Sequence, residues 1–500
     1  MKLKFTQMAV CLLAGLLLFT ACEGPQGDPG LDGKDGVDGA NGEDGEDGED
    51  LLNKVTLKNH SVTPSLLKKL SGFESIEVYS LISSEDKLIN SLSYTFGGSA
   101  DGAGLRKVNG GYALLVNHED NFAVSRILLD ETFKPVSGEY ILNSDGGKWR
   151  LCSSTLATPE EHGFGPIYLT CGESNPESRT HALSPFADKG MASMSRELPG
   201  LGRWNAENAV PLPKTAYPGK TAIIIGDDDS GSAGGQIAMY LSNTVGDLDN
   251  GSLYVLKRSD NELREKQMTV GNSYPVEFVQ IADHKNLTGA QINAESAALS
   301  SIAFGRVEDV DYRKDGAGRE VYFTVTGQNG NADRTKYGRV YKLVMNASNP
   351  LAGTLEVILD GDNDNGIANE FQNPDNIMVT QNFAYVQEDS NTYGEGGETH
   401  DAYIYQYDLS TKTLKKVFEL NHFRGDATFG SVFQANDTKG NWEYGALVDI
   451  SDVIGEDNTF ILCIQPHTWR TSAFAGVDGG SLRTGENQGS QIVVIKGLPK

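Results

Sequence analysis

The chain reads as an all-β protein, and its length makes a propeller the natural architecture. Three observations carry this. Short apolar, β-branched or aromatic segments recur along it: GGYALLVN (110–117), SRILLD (125–130), GPIYLTC (165–171), TAIIIGDD (221–228), QIAMYLSN (236–243), GSLYVLK (251–257), EVYFTVTG (320–327), GRVYKLVM (338–345), FAYVQED (383–389), AYIYQYDL (402–409) and TFILCIQP (459–466). Helical periodicity is scarce, with Gln291 to Ser300 the best candidate. Fifty-eight glycines supply turns. Many short strands with little helix give a sandwich, a barrel or a propeller. Radial repetition is how roughly 440 residues of β structure protect their edges.

The first fifty residues are not globular. Lys2 and Lys4 precede an apolar run from Ala9 to Phe19, the pattern of an export signal. Phe19-Thr20-Ala21-Cys22 resembles a bacterial lipobox, with Cys22 as the lipidated first residue of the mature chain. Residues 1–21 are therefore the expected lipoprotein signal. No other apolar run approaches the ~20 residues a transmembrane helix needs. The expected membrane partner is reached through the Cys22 lipid alone, on a periplasmic or cell-surface face.

Residues 22–50 form the expected stalk. Gly24 to Asp50 is nine Gly-X-Y triplets, the spacing a collagen triple helix demands. Residues 23–50 hold eleven acids and one lysine, so three such chains would repel one another. A charge-extended stalk is the favoured reading, with a homotrimer through the repeat as its alternative. Residues 51–75 are the expected connector, and 76–500 the propeller domain.

Formal net charge is −26. An acidic chain argues against a nucleic-acid partner and suits binding of several multivalent cations. Of five cysteines, Cys11 lies in the signal and Cys22 takes the lipid. Cys152, Cys171 and Cys463 remain, an odd number and no disulfide scaffold.

Candidate chemistry centres on Phe304 to Gly327. Its second half reads as a strand, and Arg306, Glu308, Asp309 and Asp311 crowd the segment before it. Such a segment is either a solvated loop or a site for metal and anion. Acids also end other strands: Glu119-Asp120, Glu173, Glu207, Asp227-Asp228-Asp229, Asp375 and Glu388-Asp389. Hard cations want six to eight oxygen ligands, and a thiolate among carboxylates points to a transition metal sharing the site. For Cys152, ligation competes with a disulfide to Cys171 across a hairpin. The acidic loops Asp360–Gly366 and Asp247–Gly251 read as turns between strands.

Six motifs in order now carry a resemblance: GGYALLVNHED (110–120), LCSSTLATPEEHGFGPIYLTCGE (151–173), RWNAENAV (203–210), IIIGDDDSGSAGGQIAMYLSN (223–243), FGRVEDVDYR (304–313) and FQNPDNIMVTQNFAYVQED (371–389). Together they resemble the PhoX-type alkaline phosphatases, a family of six-bladed β-propellers that hydrolyse phosphate monoesters with calcium and ferric iron. The resemblance implies Cys152 as an iron ligand, with Glu173, Glu207 and Glu308 as carboxylate ligands near both metals. It implies calcium on Asp375 with one of Asp227 and Asp228, and Glu388 closing the acid ring. Arg306 would clamp the phosphate, since a guanidinium fork matches its oxygens. Arg470 is a weaker candidate for a second clamp.

The activity so implied is metal-assisted phosphoryl transfer on a small-molecule phosphate ester, without a side-chain nucleophile. Two departures from the family stand out. Residues 1–22 contain no arginine, so the twin-arginine export route is not expected, and metal is expected to load outside the cytoplasm. Gly172 replaces one of two adjacent glutamates. Two rival readings fit the same composition: a calcium-stabilised binding propeller displayed on its stalk, and another propeller hydrolase of lactonase or phosphotriesterase type.

Overall fold

The computed structural model describes residues 55–389, 400–434 and 439–500. The expected signal, Cys22, the Gly-X-Y stalk and residues 51–54 of the connector lie outside the described residues. Two strands come first, β1 (Leu67–Lys69) and β2 (Glu77–Ser83). Antiparallel meanders follow. The first is β3 (Ala100–Val108), β4 (Gly111–His118), β5 (Ala123–Leu129) and β6 (Pro135–Leu142). The next is β7 (Leu151–Ala157), β8 (Ile167–Gly172) and β9 (His181–Leu183).

A nine-stranded sheet joins two further meanders. One is β10 (Ala206–Pro211), β11 (Thr221–Asp227), β12 (Gln236–Ser242), β13 (Ser252–Arg258) and β14 (Ser273–Ile281). The other is β15 (Val307–Tyr312), β16 (Glu320–Val325), β17 (Arg339–Met345) and β18 (Ala352–Asp360). They meet edge to edge where β14 pairs β18. Then come β19 (Pro374–Val379), β20 (Phe383–Glu388), β21 (Tyr403–Asp408) and β22 (Leu414–Leu420), with β1 on the outer edge. The last sheet holds β23 (Glu443–Asp449), β24 (Thr459–Gln465) and β25 (Gln491–Lys496), completed by β2.

The arrangement is propeller-like. The first strand of each meander packs against the next around a closed circuit: β3 on β7, β7 on β10, β10 on β15, β15 on β19, β19 on β23, and β23 back on β3. The circuit is sealed by chain ends, since β2 pairs β25 from Glu77↔Lys496 to Ser83↔Gln491. β1 lies within the expected connector yet hydrogen-bonds to β22, so the sheets begin earlier than residue 76. The expected helix forms as Gly289–Ala298, closed by a capping box between Thr288 and Gln291.

Every one of these first strands slips register against its neighbour. The shifts fall between Ala100 and Ala103, Leu151 and Ser154, Ala206 and Asn208, Val307 and Val310, Pro374 and Ile377, and Tyr444 and Leu447. A bulge leaves a residue outside the ladder and re-aims its side chain. The residues so placed, or next to the shift, are Asp101, Cys152, Glu207, Glu308, Asp375 and Glu443. One buried carboxylate ties three of the strands: Asp309 of β15 accepts from Asn208 Nδ2 of β10 at 2.6 Å and from the Ile377 N–H of β19 at 3.1 Å. Burial raises its pKa to about 7, against those hydrogen bonds.

The Arg306 segment is not a solvated loop. Phe304 is fully buried, edge-on to Phe323 and Tyr341 at 5.4 and 5.3 Å between centroids, contacts worth about 1 kcal/mol each beyond their area. The Gly305 N–H donates to Glu265 Oε2 at 2.9 Å. Glu308 and Asp309 then sit buried in β15. The two acidic loops are turns. Asp247 accepts from the N–H groups of Asp249 and Asn250, and Asp362 from those of Lys336 and Tyr337.

Candidate metal and anion site

The bulged residues converge on one cavity of about 330 Å³. Asp101, Cys152, Glu207, Glu308 and Asp375 line it, with Glu443 beside them, so each first strand contributes one. A second tier comes from the ends of second strands: Glu119 and Asp120 after β4, Glu173 after β8, Asp389 after β20 and His467 after β24. Arg150, Arg306 and Asn441 complete the lining. Each meander thus turns its first hairpin toward the axis, and sequence positions 101 to 467 meet in a single space.

Three groups of donor atoms lie within 4.8 Å of one another: Asp101, Cys152 and Glu207; Glu119, Cys152 and Glu173; and Glu173, Asp228 and Glu308. Cys152 and Glu173 belong to two groups each, so the three form a continuous patch. The Cys152 thiol donates to Glu173 Oε2 at 3.0 Å. Asp101 is buried with Oδ1 unpartnered. Asp228 accepts a fork from Arg306, Nε at 2.5 Å and Nη2 at 2.8 Å, and the same Nη2 lies 3.2 Å from Glu308. Ordinary thiols, not a disulfide, occupy the β7–β8 hairpin: Cys152 faces the cavity, and Cys171 packs in the core beside Thr180. The disulfide alternative is thereby corrected.

Nine carboxylates line the cavity against two guanidiniums and one imidazole. Burial pushes Asp101 up, with Glu119 and Asp375 adding to it. Burial and Asp101 push Glu207 up; burial and Asp228 do the same to Glu308. Glu173, Asp375 and Glu443 are raised first by burial and then by neighbouring acids. The Cys152 thiol is raised by burial and by Glu119. So many acids cannot ionise together in this space without bound cations. Mixed oxygen and sulfur donors fit a hard and a softer metal side by side.

Arg306 has φ of 70°, left-handed backbone that a residue with Cβ adopts at a cost. Its neighbour in space, Gly235, has no room for Cβ, which would meet Val307 N at 2.6 Å and Arg306 Cα at 3.1 Å. The close approach of the β11–β12 turn therefore fixes Arg306. Gly172 has a similar reason: a Cβ there would meet Trp149 Cβ at 2.9 Å. The acid of that hairpin is Glu173, whose N–H donates to the Arg150 carbonyl at 2.9 Å.

Of the expected residues, Cys152, Glu173, Glu207, Arg306, Glu308 and Asp375 line the cavity, and Asp228 joins them through Arg306. Asp227 lies one residue away and is buried, with Oδ1 on the Asn205 N–H and Oδ2 unpartnered. Glu388 is used elsewhere, accepting from the N–H groups of Gln372 and Tyr403 at 2.8 Å and bonded to His400 at 3.0 Å. Arg470 pairs with Glu486 and Gln488, also outside the lining. Asp101, Glu443 and Arg150 were not expected. Asp101 hides in the glycine-rich SADGAG, Glu443 in NWEYG, and neither looks like a strand.

No protein-family model matches the sequence, nor does any curated protein. Among solved structures, Pseudomonas fluorescens PhoX in complex with vanadate, a transition state analogue, aligns with a TM-score of 0.60 at 15% identity, over 88% of this chain and 98% of that one. The fold is PhoX-like. Weaker likenesses extend to the PQQ-bound aldose sugar dehydrogenase of Streptomyces coelicolor (TM-score 0.34, 11% identity, 84% of this chain and 98% of that one). An α-L-arabinofuranosidase of Fusarium graminearum stands at 0.35 and 11%, over 84% and 98%. Among the described residues no helix is long and apolar enough to cross a membrane.

Proposed function

We propose that the chain is a six-bladed, metal-dependent phosphatase of PhoX type acting on phosphate monoesters, held at a membrane outside the cytoplasm by a lipid on Cys22. The observation that supports it most is Arg306 set beside Asp228 and Glu308 on the edge of a patch of metal-type donors. The PhoX structure of like fold holds vanadate. A phosphate ester needs cations for its charge and a guanidinium fork for its oxygens.

Calcium is assigned to the carboxylate groups, Glu173, Asp228 and Glu308 with Asp375 nearby, and Asp227 as a further candidate. Ferric iron is assigned to the groups that include Cys152, with Glu207 and Asp101. When bound, these cations would supply Lewis acidity to the phosphate oxygens and to the leaving alkoxide. The chain's own part is to hold and orient. Asp228 and Glu308 fix the Arg306 guanidinium, the left-handed backbone sets its angle, and the ring of sheets keeps every donor on a rigid strand end.

The test is hydrolysis of an aryl phosphate by the purified, metal-loaded chain. Activity abolished by chelator and by Glu308→Ala is expected. A metal-loaded protein that binds calcium and hydrolyses no phosphate ester would sink the reading. Activity confined to lactones or phosphotriesters would replace it with another hydrolase of the same architecture.

A further inference from the structure

Arg306 and Arg150 are the two guanidiniums of the cavity lining, and they are held in opposite ways. The Arg306 side chain is 18% exposed and locked on Asp228. The Arg150 side chain is 50% exposed, and its ion pairs are long: 3.5 Å to Glu119 Oε1 and 3.4 Å to Asp120 Oδ1. Its backbone, by contrast, is fixed. The Arg150 N–H donates to Ser174 Oγ at 2.8 Å, and its carbonyl accepts from Glu173. A pinned backbone thus carries a half-exposed charge two residues before Cys152.

We propose that Arg150 captures the phosphate group of the substrate at the cavity mouth, as the outer partner of Arg306. This rests on the phosphatase reading. Glu119 and Asp120 are largely buried beneath Arg150, but the contacts of 3.5 and 3.4 Å are longer than charge-assisted hydrogen bonds, so the exposed face of the guanidinium has room to donate to a phosphate dianion. A guanidinium offers paired donors that match phosphate oxygens. Because Arg150 meets a phosphate that carries its charge before and during the reaction, its contribution is to binding rather than to the chemical step. Arg306, less exposed and held by the Asp228 carboxylate, acts on the reacting group.

The experiment compares the metal-loaded full chain with Arg150→Gln, Arg150→Ala and Arg150→Lys. Two readouts are taken: KM and kcat on an aryl phosphate, and affinity for inorganic phosphate by calorimetry. Loss of a charged hydrogen-bond pair predicts KM and the phosphate Kd rising together by about 10- to 100-fold, with kcat little changed and Arg150→Lys recovering part. Unchanged KM and phosphate affinity in folded Arg150→Gln overturns the proposal. A kcat loss at constant KM does so too, placing Arg150 in support of Glu173 instead. If the wild type hydrolyses nothing, the phosphatase reading fails by itself. The phosphate affinities of wild type and Arg150→Gln then still judge Arg150, and equal or absent binding in both rejects it.

Discussion

The Sγ of Cys152 lies 3.0 Å from Glu173 Oε2, across the hairpin of β7 and β8. This pairing joins the three donor groups into one patch. On the proposed assignment of iron to the Cys152 groups, Cys152→Ser should keep the fold and calcium uptake but lose iron, with activity down on the order of 100-fold, at the upper end for disturbed metal sites. Elemental analysis of wild type and variant checks this; equal iron in both would remove the thiolate from the metal account.

The pH dependence of the metal-free protein follows from the raised carboxyls. Asp101, Glu173, Glu207, Glu308, Asp375 and Glu443 have folded pKa values above their ordinary ones. The folded state therefore binds more protons than the unfolded state. Their stabilisation is full below the ordinary carboxylate range and is lost as pH rises through the raised values, by about 1.4 kcal/mol per pH unit for each proton of difference. Buried His118, His162, His181 and His422 are lowered by burial and act oppositely below pH 7, so denaturant midpoints in chelator should fall from pH 7 to pH 9, and calcium should flatten the slope. A midpoint that climbs between pH 7 and pH 9 in chelator contradicts the electrostatics described.

Glu207→Gln separates stability from activity. Burial and Asp101 hold this carboxyl up, so an amide relieves repulsion in the metal-free chain. Thermal unfolding in chelator should rise by about 2 °C or more, while metal-loaded activity falls. A lower Tm in chelator would mean that Glu207 serves packing alone.

Arg306 carries two functions that substitution can divide. Glycine adopts the φ of 70° freely, and alanine does so at a cost. Arg306→Gly should thus be as stable as Arg306→Ala or more so, by up to about 1 kcal/mol, with both inactive on an aryl phosphate. Activity of either variant near that of the wild type removes Arg306 from phosphate recognition.

Strands named from sequence were mainly the second and third of each meander, such as β4, β5, β11, β12, β16, β17, β20 and β21. Those are mostly buried and rich in β-branched and aromatic residues. The first strands ADGAGLRKV, AENAVP, VEDVDY and PDNIMV escaped notice as strands because they border the cavity and carry acids and glycines where a core strand carries valine. The site was legible in part: Cys152, Glu207, Glu308 and Asp375 stood out as acids, and one thiol, beside strands in the motifs that carry the resemblance. Asp101 and Glu443 lie in stretches with no apolar frame to make an acid conspicuous. Glu388 sat at a strand end like the others, but its carboxylate is held by Gln372, Tyr403 and His400, and the next residue, Asp389, lines the cavity instead. Sequence cannot tell which way a strand end points.

The pairing of β2 with β25 also imposes an order of events in biosynthesis. Residues 77–83 leave the ribosome early and find their partner only when residues 491–496 emerge. Until then Asp101 and Glu443, contributed by adjoining strands β3 and β23, have no fixed separation. A chain cut before residue 491 lacks the strand pair that ties the first sheet residues to the last.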